Sequence, residues 1–464
     1  MNVDDRLNSL EPRLSWFYIR LLLLIGVSWA IQAAELVLLN FSRVLVTNDI
    51  GMGTFALEIF GVSIFVGSMV GGPILGYFAD KFGRRIALLV SIVFSLGGLA
   101  VSAQAHGDYM LIVGRKITGL GHGGQLSSTF VLVQELAPQL IHGRIVSLLD
   151  AFAGIGSLIG LALAYAVAPW LKWRTTYLVV SGLVLYTVVL PFTIPESPRW
   201  LASVCRTEEA IDIVKQIERS HIQKKEINVT SVPESSSSIK PSRYKQLVPT
   251  IILWTLWAVM ALSAYILGTY IPTLVSLFGF NLFATWSSIG VFNIAQVVGS
   301  FTAAAVLDTY GPHRSFAVFA TLTAVTSIAL GHMTWSREIV ITVSFLVNAL
   351  LSACWSCIFT YTPGHFTTAH CSRGMGYVVG FSRFVAVGGC YLSPYMFNVW
   401  ILSVPVLCWI FGSVLMVMAV GIVPSYSYYA LEEEDGDNSC TWTLPMNLES
   451  SGVSAEDSTI EAKE

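Results

Sequence analysis

Ionisable side chains inside long apolar runs are the residues of this sequence that could do chemistry. A charge in an apolar helix costs about 2.5–3.5 kcal/mol on insertion scales, so it usually faces a partner or a cavity. Seven such residues occur: Glu35, Glu58, Arg115, Lys116, Glu135, Asp150 and Arg383. Glu58, Lys116 and Asp150 lie within about two turns of the end of a run, and we expect their charges to reach its polar boundary. The deeper members are candidates for function.

Membrane-spanning helices are the elements that must position these residues. Of the 464 residues, 54% are hydrophobic and only 12% are charged, whereas soluble domains carry about 25% charged residues. One membrane-spanning helix needs roughly 20 apolar residues. Twelve segments meet this need: 17–41, 53–79, 86–104, 109–135, 144–168, 175–194, 247–277, 282–307, 315–333, 338–363, 374–398 and 402–424. We predict an all-α membrane protein with twelve transmembrane helices in two six-helix halves.

The predicted organisation has five parts. They are an N-terminal segment (1–16), a first half (17–194), a central loop (195–246), a second half (247–424) and an acidic tail (425–464) whose composition predicts disorder. The N-terminal segment lacks a signal-peptide cleavage pattern, so we expect the first apolar run to remain as a span. Basic residues concentrate in the central loop and in the loops on its side, which predicts that both termini are cytoplasmic.

One loop motif follows the second predicted span. It reads Gly76-Tyr-Phe-Ala-Asp80-Lys-Phe-Gly83-Arg84-Arg85 and places a carboxylate at one helix end against arginines at the start of the next. A degraded copy, Asp308-Thr-Tyr-Gly311-Pro-His-Arg314, occurs between spans two and three of the second half. The motif closely resembles the signature of the major facilitator superfamily. Its recurrence indicates a duplicated six-helix unit that encloses a midplane site.

Three more segments resemble the sugar-porter-like branch of that superfamily. They are Pro195-Glu-Ser-Pro-Arg-Trp-Leu201, Gly114-Arg-Lys-Ile-Thr-Gly-Leu-Gly121, and Glu135-Leu-Ala-Pro138 followed by Arg144. The resemblance implies a cytoplasmic gate made of charged residues and a turn glycine. Its candidate members are Asp80, Gly83, Arg84, Arg85, Glu135, Arg144, Glu196, Arg199, Asp308 and Arg314.

The sequence departs from the family pattern in the second half. Gly364 stands where the family usually has Glu, and the arginine of that loop is shifted, to Arg373. We therefore expect a weaker charge network there. The seventh span lacks the paired glutamines with which sugar porters bind hexoses. The eleventh span, from Gly380 through Arg383 to Pro394, resembles aromatic-acid, nicotinate and synaptic-vesicle-protein-like transporters.

The resemblance also implies roles for the deep charges. Glu35 occupies the place of a first-span acid that faces the fourth-span arginine, here Arg115, and this pair implies proton coupling. A static salt bridge is the alternative. Arg383 lies roughly 15 Å from the cytoplasmic end, where its planar fork suits a carboxylate or phosphate; a pair with an internal acid such as Glu35 is the alternative. Further substrate contacts are assigned to Tyr265, Tyr270, Asn293 and Gln296.

Three functions remain open from the sequence. The first is proton-coupled transport of a small organic anion, the second is a sugar or organic-cation carrier, and the third is a non-transporting membrane sensor. An enzyme is not predicted, because no nucleotide loop, metal cluster or nucleophile motif is present. We expect no cofactor, no metal and no nucleic-acid partner. The expected partners are a small-molecule substrate, protons and the lipid bilayer. We expect a monomer in the plasma membrane, with an organelle membrane as the alternative.

Overall fold

The structure of the protein, a computed structural model, is helical throughout the part that it describes. It describes residues 3–10, 13–167, 173–221, 250–264, 282–332, 337–398, 406, 408–419 and 421. Inside a bilayer every backbone N–H and C=O must be satisfied within the chain, which is why apolar runs of this length form helices. Eight helices in the described residues are long and apolar enough to cross a membrane.

The first half contains six spans. After the short α1 (Val3–Asn8) come α2 (Trp16–Ile50), α3 (Thr54–Phe82), α4 (Arg84–Ala103), α5 (Asp108–Leu136) and α6 (His142–Val167). The sixth span consists of α7 (Trp173–Ser181), a 3-10 turn (Gly182–Leu185) and α8 (Tyr186–Thr193). The predicted boundaries are close to these, except that the first helix continues to Ile50, beyond the predicted end at residue 41.

The central segment and the second half follow. The central segment forms α9 (Pro198–Ser203) and α10 (Thr207–His221). The second half contains α11 (Thr250–Ala264), α12 (Leu282–Tyr310), α13 (Pro312–Gly331), α14 (Arg337–Gly364), α15 (Cys371–Asn398) and α16 (Cys408–Ala419). These twelve spans agree with the predicted twelve-helix architecture. The acidic tail and most of the central loop lie outside the described residues.

Helix α5 is too polar to be counted as a membrane span on composition alone, although it lies at the centre of the first half. From Thr118 to Leu136 it is buried except at Leu120. Its glycines let neighbouring helices approach closely: a Cβ on Gly119 would lie 2.0 Å from the carbonyl oxygen of Ile64 on α3. Small residues at such crossings are a common means of helix packing in membranes.

Two antiparallel helix pairs join the halves: α3 with α15, and α6 with α12. We call these contacts the α3–α15 seam and the α6–α12 seam. In the α3–α15 seam, a Cβ on Gly376 would lie 2.2 Å from the carbonyl oxygen of Gly72. The end of the bundle at which α3 and α12 finish and α6 and α15 begin is called the latch end below. It is the end predicted to face the cytoplasm.

Candidate functional site

Asp80 joins the two halves at the latch end. Its carboxylate, near the end of α3, accepts the backbone N–H groups of Ser372 (3.1 Å) and Arg373 (3.0 Å) at the start of α15. The first N–H groups of a helix have no partner inside the helix and favour a negative charge. The carboxylate of the motif therefore makes a contact between the halves, in addition to the 3.4 Å ion pair of Asp80 with Arg84.

Arg84 forms a fully buried ion pair beneath this contact. Its Nε lies 3.0 Å from Oε2 of Glu135, and its Nη2 lies 3.2 Å from Oε1. The same guanidinium donates to the carbonyl oxygen of Thr368 in the second half. Gly83, with φ of 108°, supplies the backbone conformation that turns the chain from α3 into α4. The predicted grouping of these residues is present in the structure.

The α6–α12 seam carries a matching contact. Asp308, near the end of α12, accepts the backbone N–H of Arg144 at 2.9 Å, and the Arg144 Nε lies 3.2 Å from its other oxygen. Asp308 thus meets the start of α6 as Asp80 meets the start of α15. The expectation of a shifted arginine is wrong, because Arg373 follows Gly364 by nine residues as Arg144 follows Glu135, and both arginines donate a backbone N–H to the facing Asp.

In the described residues of the second half, no buried ion pair corresponds to that of Arg84 with Glu135, as the sequence predicts. Pro312 and Gly364 occupy the positions that correspond to Arg84 and Glu135. Instead, the rings of His313 and Tyr361 pack edge-on with centroids 4.4 Å apart. Arg314, a predicted gate residue, is exposed on α13 and is not brought to Asp308.

Glu196 closes the other side of the α3–α4 turn. It accepts the backbone N–H groups of Arg84 (2.9 Å), Arg85 (3.1 Å) and Ser197 (3.0 Å). Burial raises the pKa of Glu196 above its ordinary value, and the N–H donors together with the charge of Arg85 offset only part of that effect. The Arg85 side chain donates to the last carbonyl groups of the sixth span, at Pro191 and Ile194.

Arg199 connects the gate to the N-terminal segment. Its Nε lies 2.8 Å from a carboxylate oxygen of Asp4 on α1. Arg6, two residues further along α1, forms a two-pronged pair with Glu218 on α10, at 2.7 and 2.9 Å. Helix α1 therefore lies across the central helices at the latch end, an arrangement that the sequence did not predict.

Glu35 is completely buried inside the first half. Its Oε2 accepts the Ser95 hydroxyl at 2.7 Å and lies 2.7 Å from Nε2 of His122. Its Oε1 is buried and has no hydrogen-bond partner among the described residues. The site therefore consists of a carboxyl, an imidazole and a hydroxyl from α2, α5 and α4. Two of its three groups, the carboxyl and the imidazole, are ionisable.

The expected contact of Glu35 with Arg115 is not formed. Arg115 is buried with its guanidinium 4.3 Å from the ring centroid of Tyr177 and 5.8 Å from that of Phe60, and its nitrogens have no hydrogen-bond partner in the described residues. The register between α2 and α5 explains this. Gln125 donates to the Ser28 carbonyl oxygen, which places Arg115 about one helical turn beyond the level of Glu35.

Asp150 also departs from expectation. Its carboxylate does not reach the polar boundary but is 3% exposed and faces the second half. It accepts the hydroxyl of Ser300 on α12 at 3.0 Å and that of Ser356 on α14 at 2.9 Å. The prediction failed because depth along one helix says nothing about which helix lies opposite. Glu58 and Lys116 are exposed.

An aromatic cluster spans both halves near the latch end. Phe130 of α5 stacks on Phe359 of α14 with ring centroids 4.3 Å apart. Trp29 of α2 packs edge-on against Phe130 at 5.1 Å, and Trp257 of α11 packs against Phe359 at 5.6 Å. Trp355 of α14 completes the cluster, 5.5 Å from Trp257. These rings close the centre of the bundle between its halves.

The structure describes some of the predicted substrate residues and not others. Arg383 is half-buried near the middle of α15. Asn293 and Gln296 lie on α12. The backbone carbonyl of Gln296 accepts the hydroxyls of Ser300 and Ser352. Asn293 Nδ2 is buried and has no hydrogen-bond partner in the part of the chain that the structure describes. Tyr265 and Tyr270 lie outside the described residues, so their assignment stays a prediction.

A family model decides the identity of this architecture. The model described as "Major Facilitator Superfamily" matches residues 21–389, which is most of the chain. The chain belongs to the Major Facilitator Superfamily. It is therefore an integral multi-pass membrane transporter of that superfamily, and not an enzyme.

This superfamily member is similar to several named transporters. It is 27% identical over 397 residues to the niacin transporter NiaP of Acinetobacter baylyi, covering 82% of this chain and 88% of that one. It is 25% identical over 337 residues to a gallate transporter of Pseudomonas putida, covering 71% and 73%. Its fold resembles the proton:xylose symporter XylE with a TM-score of 0.70 at 15% identity, covering 87% and 94%.

Sequence patterns gave no signal for several residues of this Major Facilitator Superfamily site. His122 is a single histidine in a glycine-rich helix, and Phe130 and Phe359 look like ordinary apolar residues of a span. Their importance depends on which helices face one another. The glycine content of α5 was the one available signal, since it marks a helix that is surrounded on all sides.

Proposed function

We propose that this chain is a proton-coupled symporter of a small organic anion, an aromatic or heterocyclic carboxylate. Relatives named as niacin and gallate transporters support the substrate class, because niacin and gallate are both small ring-bearing carboxylic acids. Relatives and structural neighbours named as proton symporters of sugars support the coupling.

The observation that carries the proposal is the buried Glu35 with His122 at 2.7 Å. A carboxyl that accepts a hydroxyl and an imidazole can hold its charge in one arrangement and its proton in another. Movement of α2 against α4 and α5 changes both hydrogen bonds and so changes proton affinity. Arg115 lies seven residues from His122 on α5, about two turns away, and acts on Glu35 as a nearby charge.

The substrate is assigned to the space between the halves. Arg383 binds its carboxylate through the planar fork of the guanidinium, and the aromatic cluster below offers ring faces to an aromatic or heterocyclic substrate. Asn293 and Gln296 on α12, with Tyr265 and Tyr270 of the seventh predicted span, supply polar contacts. A site of few polar groups on largely apolar walls is typical of small-molecule pockets.

The two seams form the cytoplasmic gate of this proposal. Both termini and the central loop lie in the cytoplasm, and the latch end faces it. The halves, residues 17–194 and 247–424, rock about the substrate in a monomeric protein of the plasma membrane. Alternating access in duplicated transporters is largely such a movement of one half against the other.

The test separates exchange from accumulation in proteoliposomes. Labelled nicotinate and gallate are offered with and without an inward proton gradient, beside arabinose and a quaternary ammonium compound. Glu35→Gln, a permanent copy of the protonated form, should still exchange substrate across the membrane but lose gradient-driven accumulation. Glu58→Gln, which changes an exposed acid on α3, is the matched control and should behave like the parent.

Three results would contradict the proposal. Uptake of arabinose or the ammonium compound, with no uptake of either acid, would overturn the substrate class. Accumulation by Glu35→Gln equal to that of the parent would show that Glu35 does not carry the coupled proton. Loss of exchange and accumulation together, with loss of folded protein, would show that Glu35 and His122 form a static structural pair.

A further inference from the structure

Asp150 is the buried acid that the proposed cycle has not used. It lies on α6, six residues beyond Arg144, and Ser300 lies eight residues before Asp308 on the antiparallel α12. The contact between them is thus about 9–12 Å deeper in the α6–α12 seam than the Arg144–Asp308 latch. Ser352 of α14 hydrogen-bonds to the Ser300 hydroxyl at 3.1 Å. One carboxyl therefore faces three serines of the opposite half.

No cation compensates the charge of Asp150 in the part of the chain that the structure describes. Its contacts are hydroxyl groups, and no salt bridge includes it. The titratable groups on α6 and on the helices packed against it are engaged elsewhere or lie apart from it. They include Arg144 and Asp308 in the latch, Glu35 with His122, Arg115 over the Tyr177 ring, Glu135 with Arg84, His142 with the Ala137 carbonyl, Cys354 beside Thr323, Cys357 beside Ser356, and Tyr361 against His313.

The internal repeat shows that seam packing does not require this carboxyl. Counting from the equivalent residues Arg144 and Arg373, Asp150 corresponds to Val379. Counting from Asp308 and Asp80, Ser300 corresponds to Gly72. Val379 and Gly72 do face each other in the α3–α15 seam, where a Cβ on Gly72 would lie 3.4 Å from the Val379 side chain. The same crossing is therefore apolar in one seam and acidic in the other.

We propose that Asp150 is a second proton-binding site, whose protonation holds the two halves together at the α6–α12 seam. All of its hydrogen-bond partners belong to the other half, so the seam cannot open without separating them and admitting water. An isolated carboxylate is far more stable in water than in a buried site without a cation. The charged form therefore favours the open seam, and the protonated form favours the closed one.

Because the protonated form favours the closed seam, opening and closing of the seam would carry a proton in one direction. This coupling rests on the proposed symport cycle. With the latch end closed, Asp150 takes up a proton; when the latch end opens to the cytoplasm, hydration releases it there. The proton moves inward with the conformational change itself and not through contact with substrate. Glu35, by contrast, lies wholly within the first half, and its partners need not separate when the halves do.

The native cysteines allow a test that needs no substrate. Cys371 is 3% exposed at the start of α15, among the charges of Asp80, Arg84 and Glu135 from the other half, while Cys205 is exposed. Full-length protein in proteoliposomes is alkylated with N-ethylmaleimide between about pH 5 and pH 8, where carboxyl and imidazole groups titrate. Peptide mass spectrometry gives the Cys371 rate divided by the Cys205 rate, so that the pH dependence of an exposed thiol is removed from the comparison.

In the parent, the Cys371-to-Cys205 ratio should rise with pH, by up to about tenfold per pH unit where one proton is released on opening. Asp150→Asn keeps the neutral form at every pH, so its ratio should stay at the parent's low-pH value. Ser356→Ala removes one donor to the charged form. It should keep the rise but move its upper end to higher pH, which tests the site if Asp150→Asn does not fold.

Three outcomes would overturn the assignment. Asp150→Asn could keep the parent's pH dependence, or, where that variant does not fold, Ser356→Ala could leave the profile unmoved. A ratio that responds to Na⁺ at constant pH, in the parent but not in Asp150→Asn, would make the serine cluster a sodium site. If organic acids are not taken up but the labelling profile is as expected, the proposed substrate class is wrong and the role of Asp150 still stands.

Discussion

Two arginines of this protein are equally buried but differ in whether carboxylates surround them. Arg84 and Arg115 are both 0% exposed. Arg84 is bound by Glu135 and Asp80, whereas Arg115, among the residues that the structure describes, contacts the ring faces of Tyr177 and Phe60 and has no ion-pair partner. Removing one partner of a buried pair leaves an uncompensated charge, but removing an unpaired cation leaves none. The two positions therefore separate a paired from an unpaired buried charge.

Replacement of each arginine by methionine, which has a similar length, should affect stability very differently. Arg84→Met leaves Glu135 buried without its cation and should cost about 3–5 kcal/mol. Arg115→Met loses cation–π contacts worth about 1–2 kcal/mol but also the cost of burying a charge, so its net effect should be small. Thermal unfolding of the purified variants measures both. Equal destabilisation would mean that Arg115 has an anionic partner in the folded protein.

Glu196, which lies outside the membrane-spanning segments, should make the stability of the protein depend on pH. Burial raises its pKa above the ordinary value of 4.5, so between that value and the raised one the folded state binds more protons than the unfolded state. Stability from this group is therefore present below 4.5 and is lost as pH rises through the folded pKa. Glu196→Gln lacks this loss, so its melting temperature relative to the parent should increase from acidic to neutral pH. A constant difference would contradict the burial effect.

How far single residues were predictable depended on how local their signal was. Asp80, Arg84 and Glu196 sit in motifs whose spacing fixes them near helix ends, and the structure brings them together. The register of α2 against α5 decides whether Glu35 meets His122 or Arg115, and the packing of α6 against the second half decides what Asp150 meets. Both are properties of helix pairs, so no spacing along the chain could have shown them.

At the scale of elements, the closeness of α3 and α15 depends on glycine. Gly72 and Gly76 of α3 face Gly376 and the start of α15, and a Cβ on any of the three would overlap backbone atoms of the opposite helix. The sequence predicted both helices with nearly correct ends, because apolar length determines a span. It did not predict that these glycines form one seam, since glycines are also frequent elsewhere in membrane helices.

Gly376→Ala should open the α3–α15 seam. Its Cβ would lie 2.2 Å from the Gly72 carbonyl oxygen, and overpacking of this kind costs about 1–3 kcal/mol. Because the open arrangement relieves the overlap, the Cys371-to-Cys205 alkylation ratio should increase. Gly388→Ala lies on the same helix with nothing within 4 Å of the new Cβ and should leave the ratio unchanged. An unchanged ratio in Gly376→Ala would show that the seam stays closed by local adjustment.

At the scale of the whole molecule, the two seams are copies of one design. Each places an Asp from the second helix of one half on the first N–H groups of the fifth helix of the other half. The duplication was readable in the repeated loop motif. The crossing of partners between halves was not, because a loop motif shows which helices it joins in the chain and not which helix faces it. The two contacts open and close together only if the halves move as rigid bodies.

Asp308→Asn tests that rigid-body movement from a distance. The substitution weakens the α6–α12 seam by removing the charge that binds Arg144, and one charge-assisted hydrogen bond is worth about 1.5 kcal/mol, roughly tenfold in an equilibrium. Cys371 lies beside the other seam. If the halves separate as rigid bodies, its alkylation relative to Cys205 should still increase about tenfold, as it should in Asp80→Asn.

The double variant and a surface control complete this test. Effects of distant substitutions on one two-state equilibrium add as free energies, so Asp80→Asn with Asp308→Asn should multiply the two increases until Cys371 is fully accessible. Asp212→Asn, an exposed acid on α10 paired with Lys215, should change nothing. Protection of Cys371 in Asp308→Asn, beside exposure in Asp80→Asn, would mean that each seam opens alone and that the halves are flexible.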